Sequence, residues 1–94
     1  MLLVTKMPKI MLSDRFIELY KSLPESIRKK IKRQIQLLAE NPRHPSLQTK
    51  PIRGTNGIFE ARVDLNYRLT YERMPDDILL LRVVATHNDA LIKP

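Results

Sequence analysis

The chain has 94 residues, 43% of them hydrophobic, so we expect a single folded domain over residues 1–94 rather than a disordered chain. Its net charge of +7, with 17 Lys and Arg against 10 Asp and Glu, favours a polyanionic partner without choosing between nucleic acid, membrane surface and acidic protein. The absence of Cys excludes disulfides, thiol catalysis and thiolate metal sites, and it fits a cytoplasmic protein. No apolar run approaches the ~20 residues of a membrane span, and His44 and His87 lack the spacing of a metal motif. We therefore expect no membrane association, no metal and no cofactor.

The first half of the chain predicts a strand followed by a helical hairpin. KIML, residues 9–12, suits a short strand, and Ser13 can cap the helix that follows. Ser22 and Glu25 form a capping-box pattern for a second helix. Isoleucines and a leucine at steps of four and three give that second helix one apolar stripe, before Asn41-Pro42 ends it.

The outer face of the second predicted helix is basic. No acidic residue lies between positions 26 and 38. A helix whose surface charges served only its own stability would usually include Glu, which forms ion pairs with Lys or Arg four residues away. The face is either a solvated surface or a surface that contacts phosphates, and we slightly favour the second. Its basic residues are Arg28, Lys29, Lys30, Lys32 and Arg33.

The second half predicts a loop and then three antiparallel strands. The loop is rich in Pro and Gly, with a short extended piece near residues 50–53. Residues 58–64 and 67–73 each alternate apolar and polar side chains, and residues 78–85 are nearly all apolar, as in a strand covered on both faces. The prediction is an α+β fold of order β-α-α-β-β-β, with the helical hairpin packed on a four-stranded antiparallel sheet.

The polar positions of the two alternating strands are charged. Glu60, Arg62 and Asp64 share one face of the first strand, and Arg68 lies on the same face of the second. We expect this face to point away from the helices, with His87 near its edge at the exit of the last strand. The alternative to a site is simple pairing across the strands, of Glu60 with Arg68 or of Arg62 with Glu72.

The ordered segments of the chain resemble the RelE/ParE superfamily of toxins from type II toxin–antitoxin systems. The resemblance covers about residues 9–92 and rests on LPESIRKKIKRQIQLLAENPRHP, IRGTNGIFEARVDLNYRLTYE and LLLRVVATHNDAL. It implies a small α+β microcylinder with a four-stranded antiparallel sheet. It also implies one of two activities: the RelE, YoeB and YafQ branches cut mRNA in the ribosomal A site, whereas the ParE branch inhibits DNA gyrase and lacks the nuclease residues.

Residue by residue, the resemblance implies a nuclease site. His87 falls on the histidine of YoeB and YafQ that is thought to act as general acid, and Arg68 falls on the arginine of RelE and YoeB that stabilises the scissile phosphate. Arg62 falls on a lysine of RelE, which is a histidine in YafQ, and Glu60 falls on another lysine of RelE. The chain departs from the family in the acidic Glu60, in Asn66 where YafQ has an aspartate, and in lacking an aromatic after His87 to stack on an mRNA base.

The chemistry of these side chains fits RNA cleavage independently. Attack by the 2′-hydroxyl needs a base, a cation for the developing phosphorane charge, and an acid for the leaving 5′-oxygen. A carboxylate, two arginines and a histidine supply all three without a metal. Glu60 is the best candidate for the base, with Lys50 and His44 as alternatives.

The resemblance, together with this chemistry, implies a ribosome-dependent, metal-independent mRNA endoribonuclease. The predicted catalytic residues are His87, Arg68, Arg62 and Glu60, and the predicted RNA-binding residues are Lys50, Arg53, Arg28, Lys29, Lys32 and Arg33. Expected partners are the ribosome with its A-site mRNA and a cognate antitoxin whose acidic or amphipathic segment wraps the toxin, in a complex that binds its own operator. The alternatives are a non-catalytic toxin or binding module, such as a ParE-like gyrase inhibitor or a decayed RelE homologue, and a basic RNA-binding domain with no toxin role.

Overall fold

A computed structural model describes residues 7–94. Its elements in chain order are strand β1 (Lys9–Leu12), helices α1 (Asp14–Ser22) and α2 (Glu25–Glu40), a 3-10 turn (Pro45–Leu47), strands β2 (Lys50–Pro51), β3 (Ile58–Arg62), β4 (Tyr67–Met74) and β5 (Ile78–Thr86), and helix α3 (His87–Ile92). The α+β class and the order of the predicted elements are confirmed. Within the described residues, no helix is long and apolar enough to cross a membrane.

The sheet has five strands in the order β1-β5-β4-β3-β2. Strand β1 runs parallel to β5, and the other pairs are antiparallel. The prediction of a four-stranded antiparallel sheet was therefore wrong in two respects: the sheet has five strands, and β1 runs parallel to its neighbour. The extended piece near residue 50 adds a two-residue edge strand, and β1 satisfies the backbone groups along the otherwise open edge of β5.

The main core lies between the helical hairpin and one face of the sheet. Phe16 of α1 and Ile31 and Leu38 of α2 are at most 1% exposed, and they belong to one cluster with Leu69 and Leu81 of the central strands. Burial of each such side chain contributes about 1.5–3 kcal/mol. The helices thereby cover one sheet face, and the charged positions of β3 and β4 lie on the other, as predicted.

One of the two predicted helix caps is present. The Ser13 hydroxyl accepts a hydrogen bond from the Phe16 amide at 3.0 Å and caps α1. The predicted capping box of Ser22 and Glu25 is wrong, because Ser22 is still the last residue of α1 and Pro24 occupies the N-cap of α2 without a side-chain hydrogen bond. The link between the helices is too short to leave Ser22 free for the second one.

Helix α3 was not predicted, and it packs on β4 and β5. Ala90 is fully buried, and the main-chain oxygen of Pro94 accepts hydrogen bonds from Thr70 Oγ1 at 2.9 Å and from Arg82 Nε at 3.0 Å. Because Thr70 lies on the face away from α1 and α2, α3 covers part of that second face. Strand β5 is thus covered on both sides, as its apolar sequence predicted.

Candidate functional site

The strand register arranges the charged residues in rows across the second sheet face. Arg62 of β3 lies opposite Arg68 of β4, and Glu60 lies opposite Thr70. Arg68 in turn lies opposite Ala85 of β5. Adjacent rows on one face are two residues apart, about 7 Å, so the paired arginines and Glu60 share one small area.

The Arg68 side chain is anchored to the turn between β3 and β4. Its Nη1 donates to the main-chain oxygen of Asp64 at 2.6 Å and to that of Tyr67 at 3.0 Å. Among residues 7–94, Nε and Nη2 of Arg68 form no hydrogen bond, so this edge of the guanidinium, the open edge, has no partner there. That edge has the paired donors with which arginine binds a phosphate.

His87 lies at the same turn from the other side. It is the first residue of α3, and its amide donates to the main-chain oxygen of Asn66 at 2.9 Å. The preceding residue, Thr86, lies opposite Tyr67. His87 therefore stands one row beyond Arg68, on the side away from Glu60, and its side chain is half-buried.

Glu60 is almost enclosed. Its side chain is 4% exposed, and Lys50 Nζ lies 3.4 Å from Oε1. The two residues line one cleft of about 380 Å³ together with Arg53 and with Leu91 of α3. The predicted base and two of the predicted RNA-binding residues thus meet at this cleft.

The cross-strand pairs that were the alternative to a site, Glu60 with Arg68 and Arg62 with Glu72, are not formed. Glu60 pairs with the neighbouring edge strand, and Glu72 accepts from Arg82 Nη1 of β5 at 2.7 Å. Arg62 lies opposite Arg68 instead of a carboxylate. The two arginines consequently leave an excess of positive charge in the middle of the face.

Arg62 also connects the sheet to α2. Its main-chain oxygen accepts from Gln34 Nε2 at 2.6 Å, and its Nη1 lies 3.5 Å from Gln48 Oε1. It lines a second cleft, of about 320 Å³, together with Lys30 and Arg33 of α2. A predicted catalytic residue and a predicted RNA-binding residue therefore border the same cleft.

Sequence reasoning placed Asp64 on the charged face but gave it no role. Its Oδ1 accepts from the amides of Asn66 at 2.9 Å and Tyr67 at 2.8 Å, and its Oδ2 lies 3.1 Å from Lys30 Nζ. Burial acts to raise the pKa of Asp64, but the Asn66 amide, Lys30 and the Tyr67 amide together lower it below its ordinary value. An aspartate at the start of a tight turn is a known turn signal, and that signal could have identified it.

The remaining candidates have separate local contacts. His44, an alternative base, caps the 3-10 turn, because its Nδ1 accepts from the Ser46 amide at 3.2 Å.

The predicted RNA-binding residues of α2 differ in their contacts. Arg28 donates to the main-chain oxygen of Leu23 at 3.1 Å, and Lys29 lies 3.7 Å from Glu25 on the same helix. The other predicted RNA-binding residues of α2, Lys32 and Arg33, are exposed and form no ion pair within residues 7–94. In the same part of the chain, no three His, Asp or Glu residues are grouped to hold a metal ion.

Comparisons with known structures show the fold. The RelE–RelB complex from Pyrococcus horikoshii OT3 contains a chain of 16% identity that aligns with a TM-score of 0.73, over 90% of this chain and 100% of that one. The DinJ–YafQ toxin–antitoxin complex of E. coli gives 21% identity and a TM-score of 0.73, over 89% and 97%. The RelB–RelE antitoxin–toxin complex from Methanococcus jannaschii gives 25% identity and a TM-score of 0.69, over 84% and 92%.

Sequence comparison gives the family. A search of curated protein sequences found no match. The family profile described as "ParE toxin of type II toxin-antitoxin system, parDE" matches residues 10–90, which is most of the chain. Together with the fold shared with RelE and YafQ, this match identifies the chain as a member of the RelE/ParE toxin superfamily of type II toxin–antitoxin systems.

Proposed function

We propose that this toxin is a ribosome-dependent mRNA endoribonuclease that cleaves RNA by acid–base catalysis without a metal. The observation that carries the proposal is the order of groups along the second sheet face. The row of Arg62 and Arg68 lies between Glu60 on one side and His87 on the other. In-line cleavage needs this order, because the attacking and leaving oxygens stand on opposite sides of the phosphorus.

Each group has one role in the proposed reaction. The open edge of Arg68, with Arg62 beside it, binds the scissile phosphate and stabilises the charge of the phosphorane. His87 donates a proton to the leaving 5′-oxygen, and Glu60 takes the proton of the 2′-hydroxyl. Glu60 reaches substrate through the cleft that it lines with Lys50 and Arg53.

We propose that α2 docks the toxin on ribosomal RNA. Support comes from Lys32 and Arg33, which are exposed, and from the cleft that joins Arg33 to Arg62. A phosphate chain crossing this cleft would pass from Arg33 on the helix to Arg62 at the site, while the Asp64 carboxylate in the cleft is paired with Lys30. Arg28 and Lys29 contribute less because each already has a contact within its own hairpin.

We propose an antitoxin as the protein partner, as in the RelE–RelB and DinJ–YafQ complexes. An apolar groove between β1, α1 and α2 is lined by Leu12, Phe16 and Ile17 and flanked by Lys21 and Lys32. Within residues 7–94 neither lysine forms an ion pair. An amphipathic antitoxin helix with acidic flanks matches this surface, whereas a second copy of the basic chain would bring like charges together.

The second candidate function is inhibition of DNA gyrase by a toxin without nuclease activity. It is favoured by the matching family profile, which is described as a ParE toxin. It would leave the charged face as a surface for a protein partner. The histidine and arginines at one turn favour cleavage over this alternative.

Two parallel assays separate the candidates with one protein preparation. We expect the toxin to destroy a reporter mRNA in a translation extract and to leave gyrase supercoiling unchanged. The His87→Gln variant should lose about 10²–10⁴-fold in cleavage rate with an unchanged melting temperature. Inhibited supercoiling with intact mRNA would replace the endoribonuclease by the gyrase inhibitor.

A further inference from the structure

We infer that Asp64 is the positioning residue that holds Arg68 and His87 in their working arrangement. This inference rests on the proposed endoribonuclease function. Asp64 itself would touch neither substrate nor reacting atoms. It acts through the turn between β3 and β4, to which the Arg68 side chain and the main chain of His87 are tied.

The contacts of Asp64 explain how both Arg68 and His87 are held at the turn. Its carboxylate accepts from the amides of Asn66 and Tyr67, which fixes the turn backbone. The carbonyl of Asn66 then accepts the His87 amide, and the carbonyl of Asp64 accepts Arg68 Nη1. One side chain thus sets the position of the two carbonyl groups that locate the acid and the phosphate-binding cation.

Apart from two main-chain hydrogen bonds that close the hairpin, from the amides of Val63 at 3.0 Å and Asp64 at 3.3 Å to the Tyr67 oxygen, few contacts hold this turn. Leu65 at its tip is 74% exposed and contributes no core packing, and the turn contains neither Gly nor Pro. The only ion pair that ties this turn to α2, within the described residues, is the 3.1 Å contact of Lys30 with Asp64. Without the carboxylate, the turn would sample other backbone states, and a displacement of about 1 Å in a catalytic group can cost ~10²-fold in rate.

Asp64→Ala and Asp64→Asn form the central comparison. The alanine variant loses the acceptor for both amides, whereas asparagine keeps an acceptor oxygen in the same place. We expect Asp64→Ala to lower the single-turnover cleavage rate by about 10–100-fold while the ribosome concentration at half saturation stays unchanged. Asp64→Asn should restore most of the rate, which loss of negative charge alone would not explain.

Two further variants make the test specific. Asp14→Asn changes the net charge by the same amount at an exposed position on α1, and it should cleave like the parent chain. Lys30→Met keeps the carboxylate and its two amide contacts but removes the tie to α2, so it should lower the rate less than Asp64→Ala.

The outcomes separate this inference from the proposed function. Full cleavage by Asp64→Ala, or equal loss in Asp64→Ala and Asp64→Asn, would overturn the positioning role while the parent still cleaves. If Asp64→Ala is unfolded, a folded Asp64→Asn that loses as much rate as His87→Gln would overturn it, because the asparagine oxygen keeps both amide contacts. A parent chain that leaves mRNA intact would refute the proposed function, and the inference would fall with it.

Discussion

Lys50 Nζ lies 3.4 Å from Oε1 of Glu60, and the two residues stand directly opposite each other across β2 and β3. The pair joins an exposed cation to a carboxylate that is 4% exposed. A carboxylate in this setting is held in one position and has limited access to water. It can serve as a base only for a hydroxyl group that enters the cleft beside it.

We expect Lys50→Met to lower the free energy of unfolding by about 1–2 kcal/mol, because it leaves a buried carboxylate without its cation. Lys50→Arg, which keeps the charge, should stay close to the parent, and Lys50→Met with Glu60→Gln should recover stability. Chemical denaturation measures all three. An unchanged stability in Lys50→Met would show that the pair contributes nothing.

The stability of the fold should fall in acid because of Asp64. Its pKa in the folded chain lies below the ordinary value of 3.8, so its contribution is complete above that value and is lost as the pH falls through the lower, folded-state pKa. Thermal melts between pH 6 and pH 2 should show this loss. Asp64→Asn should lack this part of the pH dependence, and identical profiles for the two proteins would contradict the assignment.

Arg82 holds the segment after α3 against the sheet. It donates to the Pro94 oxygen and to Glu72, so Arg82→Ala should increase amide hydrogen exchange in α3 by about tenfold, the equivalent of roughly one hydrogen bond. Arg15→Ala removes only an exposed 3.3 Å contact to the Lys93 oxygen and should have a smaller effect. Equal exchange in the parent and Arg82→Ala would mean that α3 is held by its apolar contacts alone.

Lys32 and Arg33 should carry the salt dependence of ribosome binding. We expect Lys32→Ala and Arg33→Ala each to weaken binding and to reduce the slope of log affinity against log salt by somewhat less than one unit. Lys21→Ala on α1 changes the charge equally and should leave the slope alone. Binding titrations at several salt concentrations measure this, and an equal slope for all variants would move the docking surface away from α2.

Local patterns predicted the features that depend on neighbouring residues. Ser13 caps α1 because a serine before an apolar repeat has an acceptor for the third amide. The apolar run of β5 correctly predicted a strand that is covered on both faces. The alternation of β3 and β4 placed Glu60, Arg62 and Arg68 on the face away from the hairpin.

Features that depend on distant contacts were not predictable in this way. The parallel pairing of β1 with β5 joins residues about 70 positions apart, and no local pattern encodes it. Helix α3 has only six residues, and it is held by the buried Ala90 and by the bonds of Thr70 and Arg82 to Pro94 just after it, rather than by its own propensity. Glu60 looked like an exposed charge because its covering groups, Lys50 and Leu91, come from other segments.

The most direct test of the account maps mRNA 5′ ends in a cell-free translation reaction, with the parent chain, with His87→Ala and without toxin. We predict cuts inside codons at the ribosomal A site that require ribosomes, persist in the presence of a metal chelator compatible with translation, and disappear in His87→Ala. Identical 5′ ends in all three reactions, or cuts that His87→Ala retains in full, would contradict the proposed cleavage and the role of its histidine.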